Sequence, residues 1–251
     1  MKTDVQTVNP QRVASVKSLF EQADWYLERW RCAITIRAET VREFVGERSF
    51  RSILDIGCGD GSISTQLLKP GMNLTLNDLS STMLALASSR VPQHLADHVD
   101  CINEDFSRAT LKFQPFDLIV CLGVLAHVES PVATIEKMNS LLAPGGTVIV
   151  ECTDARHPLT RLVGAYGSLG AALSRSSYKL NAVTPADVVQ MFEDRGFTRT
   201  ATFRHVLPMF GMSRVLSQAA IYRLVRSLCG SASRNRHAWL GNHYILQFQK
   251  Q

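Results

Sequence analysis

Residues 53–62 read Ile-Leu-Asp-Ile-Gly-Cys-Gly-Asp-Gly-Ser. The first four positions are mostly apolar, and a short apolar run of this kind is typical of a strand that is buried on both faces. Glycines follow at alternate positions, namely Gly57, Gly59 and Gly61. A backbone without Cβ atoms can turn tightly there and lie directly against a ligand. The stretch therefore predicts a strand, a ligand-binding loop, and then a helix that begins at Ser62 and directs its first N–H groups at the ligand.

Two acidic residues have positions that fit this loop. Asp55 lies two residues before the first glycine, where its carboxylate can accept hydrogen bonds from the loop or from the ammonium group of a ligand. Asp78 follows a second apolar segment, 21 residues after Gly57, at about the spacing where a carboxylate hydrogen-bonds both hydroxyls of a ribose. The glycine spacing is G-x-G-x-G and differs from the G-x-G-x-x-G of dinucleotide-binding proteins. Together the two motifs predict a nucleoside site without a pyrophosphate.

Five motifs between residue 53 and about residue 151 follow the order found in one enzyme family. They read Leu-Asp-Ile-Gly-Cys-Gly-Asp-Gly (54–61), Asn-Asp-Leu-Ser (77–80), Asn-Glu-Asp-Phe (103–106), Phe-Asp-Leu-Ile-Val-Cys-Leu-Gly-Val-Leu-Ala-His-Val (116–128) and Leu-Leu-Ala-Pro-Gly-Gly (141–146). In these motifs the sequence resembles the class I, seven-β-strand family of S-adenosylmethionine-dependent methyltransferases. The resemblance implies a Rossmann-like α/β fold with a doubly wound, mostly parallel seven-stranded sheet and an antiparallel last strand. N-terminal helices and a helical insertion after strand five are expected to complete it.

The same resemblance implies which residues hold S-adenosylmethionine, whose product after methyl transfer is S-adenosylhomocysteine. Asp105 is expected to accept the exocyclic amine of the adenine, and the backbone N–H of Phe106 is expected to donate to a ring nitrogen. Leu79 and Met83 are expected to pack against the adenine, although Met83 fits the hydrophobic core as well. The full set of expected cofactor-binding residues is Asp55, Gly57, Cys58, Gly59, Gly61, Asp78, Leu79, Met83, Asp105, Phe106 and Leu122.

His127 is the first candidate for catalysis. It follows the predicted fourth strand, at the edge of the sheet where open α/β folds bind ligands. A histidine near its ordinary pKa of about 6.5 can remove a proton from a hydroxyl acceptor at neutral pH. A carboxylate or an activated carbon needs no base and has only to be positioned against the methyl group. With such an acceptor, His127 would have a packing role. Tyr26 and His157 are the other catalytic candidates, and no metal site is predicted.

Three segments have no expected role in cofactor binding: the aromatic N-terminal helices, an insertion at 153–183 and a basic helix at 213–229. If they roof the site, they enclose a largely apolar pocket, which fits a small or medium organic acceptor. The sequence therefore predicts O-methylation of a partly hydrophobic metabolite of natural-product, lipid-like or tetrapyrrole-like type. The order of Glu28-Arg29-Trp30 and His127 also resembles that in tetrapyrrole O-methyltransferases. The alternatives are a NAD(P)-dependent oxidoreductase on a similar fold and a catalytically silent cofactor-binding subunit.

Composition restricts the partners and the compartment. The chain has 251 residues, 45% of them hydrophobic, and a formal charge of +5. Its basic residues are dispersed, so nucleic acid is not an expected partner. The basic helix fits packing on its own protein and, alternatively, a transient contact with a membrane surface. The six cysteines have no zinc or disulfide spacing and the first residues carry no apolar leader, which indicates a cytoplasmic protein.

The elements are placed by apolar periodicity and by capping residues. A mobile arm is expected over residues 1–15, followed by two amphipathic helices up to residue 45. Ser80, Ser130 and Thr184 are expected to begin helices, and Val132 is expected to face inward in the second of these. The domain boundaries that follow are an arm with cap helices at 1–45 and a catalytic domain at 46–251, in which 153–183 and 205–240 are helical insertions on the substrate side.

Overall fold

The computed structural model describes residues 10–161, 181, 183–206 and 215–251. Helix α1 spans Pro10–Phe20 and helix α2 spans Ala23–Val45. They are followed by β1 (Ser52–Ile56), β2 (Asn73–Asn77), α3 (Ser81–Ser89), β3 (Val99–Ile102), β4 (Phe116–Cys121), α4 (Pro131–Leu141) and β5 (Leu142–Thr153). The remaining elements are α5 (Pro185–Glu193), β6 (Phe197–His205), α6 (Gln218–Cys229) and β7 (His243–Lys250).

The seven strands form one sheet in the order β3-β2-β1-β4-β5-β7-β6. β1 pairs in parallel with β2 and β4, and parallel pairing extends to β3 on one side and to β5 on the other. β7 runs antiparallel between β5 and β6. The predicted doubly wound, mostly parallel sheet with an antiparallel last strand is therefore confirmed. The strand order reverses between β1 and β4, and folds of this kind bind ligands in the crevice beyond the carboxyl ends of such strands.

Helices cover both faces of the sheet. On one face α2, α3 and α6 bury side chains such as Ile36, Leu84 and Ile221. On the other face α4 and α5 bury Ile135 and Phe192. β1 is buried at every position, as expected for a strand with helices on both sides. Within the described ranges, no helix is long and apolar enough to cross a bilayer.

The three helix starts predicted from capping residues are confirmed. The Ser80 hydroxyl accepts a hydrogen bond from Met83 N at the start of α3, and Ser130 does the same for Ala133 N at α4. Thr184 and Asp187 form a reciprocal capping box at α5. Such caps satisfy N–H groups that have no partner inside the helix, and each typically contributes ~1 kcal/mol.

The start of the first helix is earlier than predicted. Residues 10–15 belong to α1, so the expected arm is wrong there, while residues 1–9 lie outside the described part of the chain. Pro10 suits the first position of a helix because it has no N–H to leave unpaired. Arg12 then ties α1 to the loop after β4 through the carbonyl of His127, 3.0 Å away. Local periodicity cannot reveal a contact between residues so far apart in sequence, so the pattern did not predict this part of α1.

Two local predictions about helices are wrong. The glycine loop leads through turns into a single 3₁₀ turn at Thr65–Leu67, and no α-helix begins at Ser62. Pro70 disfavours helical backbone at Lys69, which leaves too few residues for a stable helix. Val132 is 40% exposed, because the inward face of α4 runs through Ile135 and Met138.

Candidate active site

A cavity of about 1070 Å³ lies at the carboxyl edge of the sheet. The loops after β1, β2 and β3 line one part, which we call the nucleoside half. Helices α1 and α2, the loop after β4 and the adjoining ends of β5 and β7 line the other part, which we call the helical half. Single small-molecule pockets usually measure ~300–1,000 Å³. The cavity therefore has room for a nucleoside and a second ligand.

The glycine loop, residues 57–61, lies over the end of β1. Gly57 and Gly59 have φ values of 67° and 54°, which residues with a side chain rarely adopt. A Cβ on Gly57 would lie 2.3 Å from Val124 Cγ2, whereas a Cβ on Gly59 would meet nothing within 4 Å. At Gly57 the loop therefore packs closely against Val124. At Gly59 its backbone faces the cavity with no side chain in between.

Asp78 lies in the wall of the nucleoside half, directly after β2. Its Oδ2 accepts a hydrogen bond from Gly59 N and its Oδ1 accepts one from Ser80 N, each at 2.9 Å. Burial raises the pKa of Asp78, and these backbone N–H groups oppose that shift. Each carboxylate oxygen has a second lone pair, so Asp78 can organise the loop and still accept from a ligand's hydroxyls.

Asp105 and Phe106 follow β3 and also line the nucleoside half. The Oδ1 atom of Asp105 accepts from the backbone N of Ser107 at 2.8 Å, which fixes the turn. Lys137 of α4 reaches under this segment: its Nζ donates to the carbonyls of Phe106, Ser107 and Ala109 at 2.6, 3.2 and 2.9 Å. The ammonium group also lies 4.8 Å from the centre of the Phe106 ring. Sequence patterns did not predict this role for Lys137, because the residue lies mid-helix and far from the loop in sequence.

Lys137→Met is expected to weaken S-adenosylhomocysteine binding about tenfold. The substitution removes three hydrogen bonds from an ammonium group, each worth ~1.5–3 kcal/mol when fully formed, and frees the turn that carries Asp105. Isothermal calorimetry measures the change. Lys112→Met is the matched control, because Lys112 lies over the Phe113 ring at 4.9 Å and does not line the cavity. Equal affinities for wild type and Lys137→Met would contradict the role assigned to this lysine.

Asp55, Gly61 and Met83 are not brought into the cavity. Asp55 and Met83 are buried beneath its wall, Met83 completely. Gly61 packs against α3, because a Cβ at this position would lie 2.8 Å from Ala87 Cβ. Burial raises the pKa of Asp55 to about 7, a shift that Ser64 opposes and Asp78 reinforces. The Asp55 Oδ2 atom has no hydrogen-bond partner among the described residues. Of the two interpretations given for Met83, the position in the core fits the structure. The other expected cofactor residues with side chains, Cys58, Leu79, Phe106 and Leu122, line the cavity together with Gly57 and Gly59.

His127 lines the helical half on the loop that follows β4. Two distant residues hold this loop: Arg12 Nε donates to the His127 carbonyl at 3.0 Å, and Asn181 Nδ2 donates to the carbonyls of Leu125 and Val128 at 3.0 and 2.7 Å. Burial lowers the pKa of His127 to about 4, and the Arg12 and Arg37 charges add to that effect. At pH 7 the imidazole is therefore neutral and able to accept a proton, although it is a weaker base than an exposed histidine.

An aromatic wall faces His127 from α1 and α2. The Phe20 ring packs edge-on against His127 at 6.0 Å and against Tyr26 at 4.9 Å, and Tyr26 in turn lies 6.4 Å from Trp30. These rings line the cavity, so the N-terminal helices contribute to the pocket as well as to packing. Tyr26 and His127, predicted separately from sequence, thus meet in one half of the cavity.

A buried ion pair that no motif predicted lies in the same half. Arg37 Nη2 of α2 is 2.6 Å from Glu151 Oε2 near the end of β5, and both residues line the cavity. Burial would lower the pKa of Arg37, but Glu151 and the neighbouring Tyr26 hydroxyl raise it above its ordinary value. Burial would likewise raise the pKa of Glu151, but Arg37 holds it well below its usual range. Both groups therefore carry their charges at neutral pH.

Two imidazoles stack beside Glu151. His205 Nε2 and His243 Nδ1 lie 3.6 and 3.9 Å from Glu151 Oε1, and the two rings are 5.5 Å apart. Burial lowers the pKa of His243 to about 3, with a further contribution from His205 that Glu151 opposes. His243 lines the cavity, and its Nδ1 is 3.2 Å from Thr153 Oγ1. Arg37, Glu151 and these histidines thus form a polar cluster at the base of the helical half.

Two other expectations for the substrate side do not match the placement of residues. His157 does not line the cavity, and its Nε2 lies 3.2 Å from the carbonyl of Trp239. Helix α6 contributes no lining residue; it packs on α2, where Arg226 pairs with Glu39 and Glu43. The central part of the 153–183 insertion, residues 162–180, lies outside the described residues, as do 207–214.

Comparison with known proteins identifies the central part of the chain. A family model described as "Methyltransferase domain" matches residues 54–148. Residues 54–148 are thus similar to a methyltransferase domain. This region contains the glycine loop, Asp78, Asp105 and His127, and it ends inside β5. The helical half therefore draws Tyr26, Arg37, Glu151 and His243 from outside the methyltransferase domain.

Curated relatives match a somewhat longer region than the methyltransferase domain. The ubiquinone biosynthesis O-methyltransferase of Psychrobacter arcticus is 33% identical over 155 residues, which cover 59% of this chain and 60% of the relative. The protein of the same name from Coxiella burnetii is 28% identical over 149 residues, covering 58% and 63%. The chain thus spans about three fifths of the length of the curated relatives that it matches.

Solved structures resemble the whole fold at low sequence identity. The magnesium protoporphyrin IX methyltransferase of Synechocystis, with bound S-adenosylhomocysteine, has a TM-score of 0.65 at 16% identity over 96% of this chain and 100% of its own. The N-methyltransferase NodS of Bradyrhizobium japonicum has a TM-score of 0.59 at 17% identity over 93% and 97%. These likenesses extend the shared architecture beyond the methyltransferase domain to α1, α2 and β7.

Proposed function

We propose that this chain transfers a methyl group from S-adenosylmethionine to an oxygen of a small or medium, partly hydrophobic organic acceptor. The observation that carries the proposal is that one cavity joins the nucleoside half to a helical half with aromatic walls and a polar base. The names of the curated relatives support an oxygen acceptor. We place the protein in the cytoplasm, since its six cysteines are free thiols, as is usual in a reducing compartment.

The nucleoside half fits S-adenosylmethionine. Gly59 lets a ligand lie against the backbone, because nothing occupies the space where its Cβ would be. In this assignment Asp78 binds the ribose hydroxyls, and Asp105 and Phe106 bind the adenine. The cofactor, when bound, supplies an electrophilic methyl group, and the protein aligns the acceptor with it in a site from which water is largely excluded.

We assign residues 46–251 to the catalytic domain and residues 1–45 to its cap. Helices α1 and α2 support this division, because they lie over the carboxyl edge of the sheet and line the helical half. In the cap, Tyr26 is placed to contact the acceptor. His127 is the residue that takes the proton from the acceptor hydroxyl.

Cofactor identity is tested first. Calorimetry with S-adenosylhomocysteine on the full chain is expected to show saturable binding at one site, and the same ligand is expected to raise the melting temperature. NADH is expected to leave the melting temperature unchanged. If NADH raises the melting temperature and S-adenosylhomocysteine does not, the proposal is wrong and the chain is an oxidoreductase instead.

His127→Ala is expected to lower kcat about 10²-fold or more and to leave S-adenosylhomocysteine affinity unchanged, because a general base typically contributes 10²–10⁴-fold. Release of S-adenosylhomocysteine measures the rate, on an acceptor found in a metabolite screen. His98→Ala is the matched control: its ring lies outside the cavity, 3.2 Å from Asn73 Oδ1. An unchanged kcat for His127→Ala would assign that residue to packing.

A further inference from the structure

The nucleoside half is built from loops that leave different strands. The loop after β2 carries Asp78, and the loop after β3 carries Asp105 and Phe106. The two strands pair in parallel as far as Asn77 and Ile102, and one further backbone hydrogen bond joins Asp78 N to the Ile102 carbonyl at 3.1 Å. The regular ladder ends there, so the distance between the two loops depends on additional contacts.

Asn77, the last residue of β2, supplies such contacts. Its side chain is buried at the wall of the cavity, with the residue 2% exposed. Its Nδ2 atom donates to the carbonyls of Ile102 and Glu104 at 3.1 and 2.7 Å, which uses both N–H groups of the carboxamide. Its own carbonyl accepts from Gly57 N and Cys58 N at 2.8 and 3.1 Å. One residue therefore joins the loops after β1 and β3.

Asn103 makes the reciprocal connection. Its Nδ2 atom donates to the carbonyls of Asp78 and Leu79 at 3.0 and 2.9 Å. Thus Asn77 reaches from β2 to the loop after β3, and Asn103 reaches back from that loop to the residues after β2. Asn103 is exposed and does not line the cavity. Lys137 holds the segment after β3 to α4, whereas the two asparagines hold it to the loop that carries Asp78.

The spacing of these loops matters for the choice of base. In the proposed function, Asp105 accepts from the exocyclic amine of adenine and Phe106 N donates to a ring nitrogen, while Asp78 holds the ribose. The ribose and the base belong to one rigid nucleoside. Both sets of hydrogen bonds therefore form together only at one distance between the loops, and they weaken steeply when that geometry is lost.

We propose that Asn77 and Asn103 are positioning residues that fix the distance between Asp78 and the Asp105–Phe106 segment and thereby set the preference for adenine over other bases. This inference rests on the proposed function, because it concerns the same nucleoside half. The protein already uses both N–H groups of Asn77. Its effect on the ligand therefore passes through the loops that it joins.

The test compares two ligands that differ in the base. S-inosylhomocysteine carries hypoxanthine, which has a carbonyl oxygen in place of the amine and an N–H in place of the accepting ring nitrogen of S-adenosylhomocysteine. Direct or competitive calorimetry on the full chain gives both dissociation constants, and their ratio is the measured quantity. Wild type is expected to prefer S-adenosylhomocysteine by at least about 10²-fold, because a site built for one hydrogen-bonding pattern rejects an analogue that lacks it.

Two variants remove the connections separately. Asn77→Leu keeps the approximate shape of the side chain and removes its donors, and it is expected to reduce the preference about tenfold, as the loss of about two neutral hydrogen bonds would. Asn103→Ala is expected to reduce it about threefold or more. If Asn77→Leu fails to fold, Asn103→Ala carries the test, because that residue is exposed.

The ratio distinguishes positioning from a general loss of structure. A variant that is partly unfolded binds both ligands more weakly by the same factor, which leaves the ratio unchanged. Asn73→Leu is the matched control: Asn73 begins the same strand, lies outside the cavity and contacts His98. It is expected to keep the wild-type preference.

The outcomes separate this inference from the proposed function. If wild type fails to bind S-adenosylhomocysteine, the proposed function is wrong and the inference falls with it. If wild type binds S-adenosylhomocysteine but binds S-inosylhomocysteine equally well, only the inference is overturned. It is also overturned if Asn103→Ala and a folded Asn77→Leu keep the wild-type ratio, or if Asn73→Leu lowers the ratio as much as they do.

Discussion

Asp78→Ala is expected to weaken S-adenosylhomocysteine binding by about 10²- to 10⁴-fold. The proposed ribose contacts are two hydrogen bonds to a carboxylate, worth ~1.5–3 kcal/mol each, and every ~1.4 kcal/mol corresponds to a factor of ten in affinity. The variant also loses the two bonds, to Gly59 N and Ser80 N, that organise the loop. Calorimetry on the full chain measures the dissociation constant.

Two companion variants make this result specific. Asp78→Asn keeps acceptor oxygen but loses the charge, so its affinity is expected to fall between those of wild type and Asp78→Ala. Asp97→Ala removes a carboxylate that is exposed and outside the cavity, and it is expected to bind like wild type. An unchanged dissociation constant for Asp78→Ala would remove the basis for the nucleoside assignment.

Gly57→Ala is expected to lower the free energy of unfolding by about 2–5 kcal/mol. A left-handed backbone costs a residue with a Cβ ~1–2 kcal/mol, and overpacking a filled site costs ~1–3 kcal/mol more. The new methyl group would lie 2.3 Å from Val124 Cγ2, so either the loop or the segment after β4 has to move. Denaturant titration measures the loss, and Gly57→Ala with Val124→Ala is expected to recover part of it.

Gly59→Ala separates the cost of the left-handed backbone from the cost of the close contact with Val124. Its φ of 54° is also left-handed, but the added methyl group would meet no protein atom within 4 Å. The expected loss of stability is therefore only ~1–2 kcal/mol, accompanied by a larger loss of S-adenosylhomocysteine affinity, since the methyl group would point into the cavity. Equal stability losses in the two variants would show that the contact with Val124 is not what makes Gly57 sensitive.

The sheet and the placement of the nucleoside-half residues were predictable because their signals are local. β1 carries an apolar run, the glycines follow it directly, and Asp78 comes at a fixed distance in the next βα unit. Parallel strands bring these positions to one edge of the sheet without further information. The error at Ser62 is also local: the effect of Pro70 on the preceding residue outweighs the helical pattern.

The helical half could not be predicted because its polar residues meet only through packing. Arg37 lies on an amphipathic helix, where arginine usually faces solvent, and Glu151 and His243 come from strands that are distant in sequence. The antiparallel insertion of β7 next to β5 brings them together. The position of His157 outside the cavity was not predictable for a related reason: it depends on a local turn, in which Asp154 Oδ1 accepts a hydrogen bond from Arg156 N at 2.9 Å.

The division of the cavity between two sets of elements has an evolutionary consequence. Substitutions on α1, α2 and the ends of β5 and β7 reshape the space for the acceptor and leave the loops after β1, β2 and β3 intact. Under the proposed function, substitutions in the helical half can therefore change the methyl acceptor while the nucleoside half keeps the site for the methyl donor.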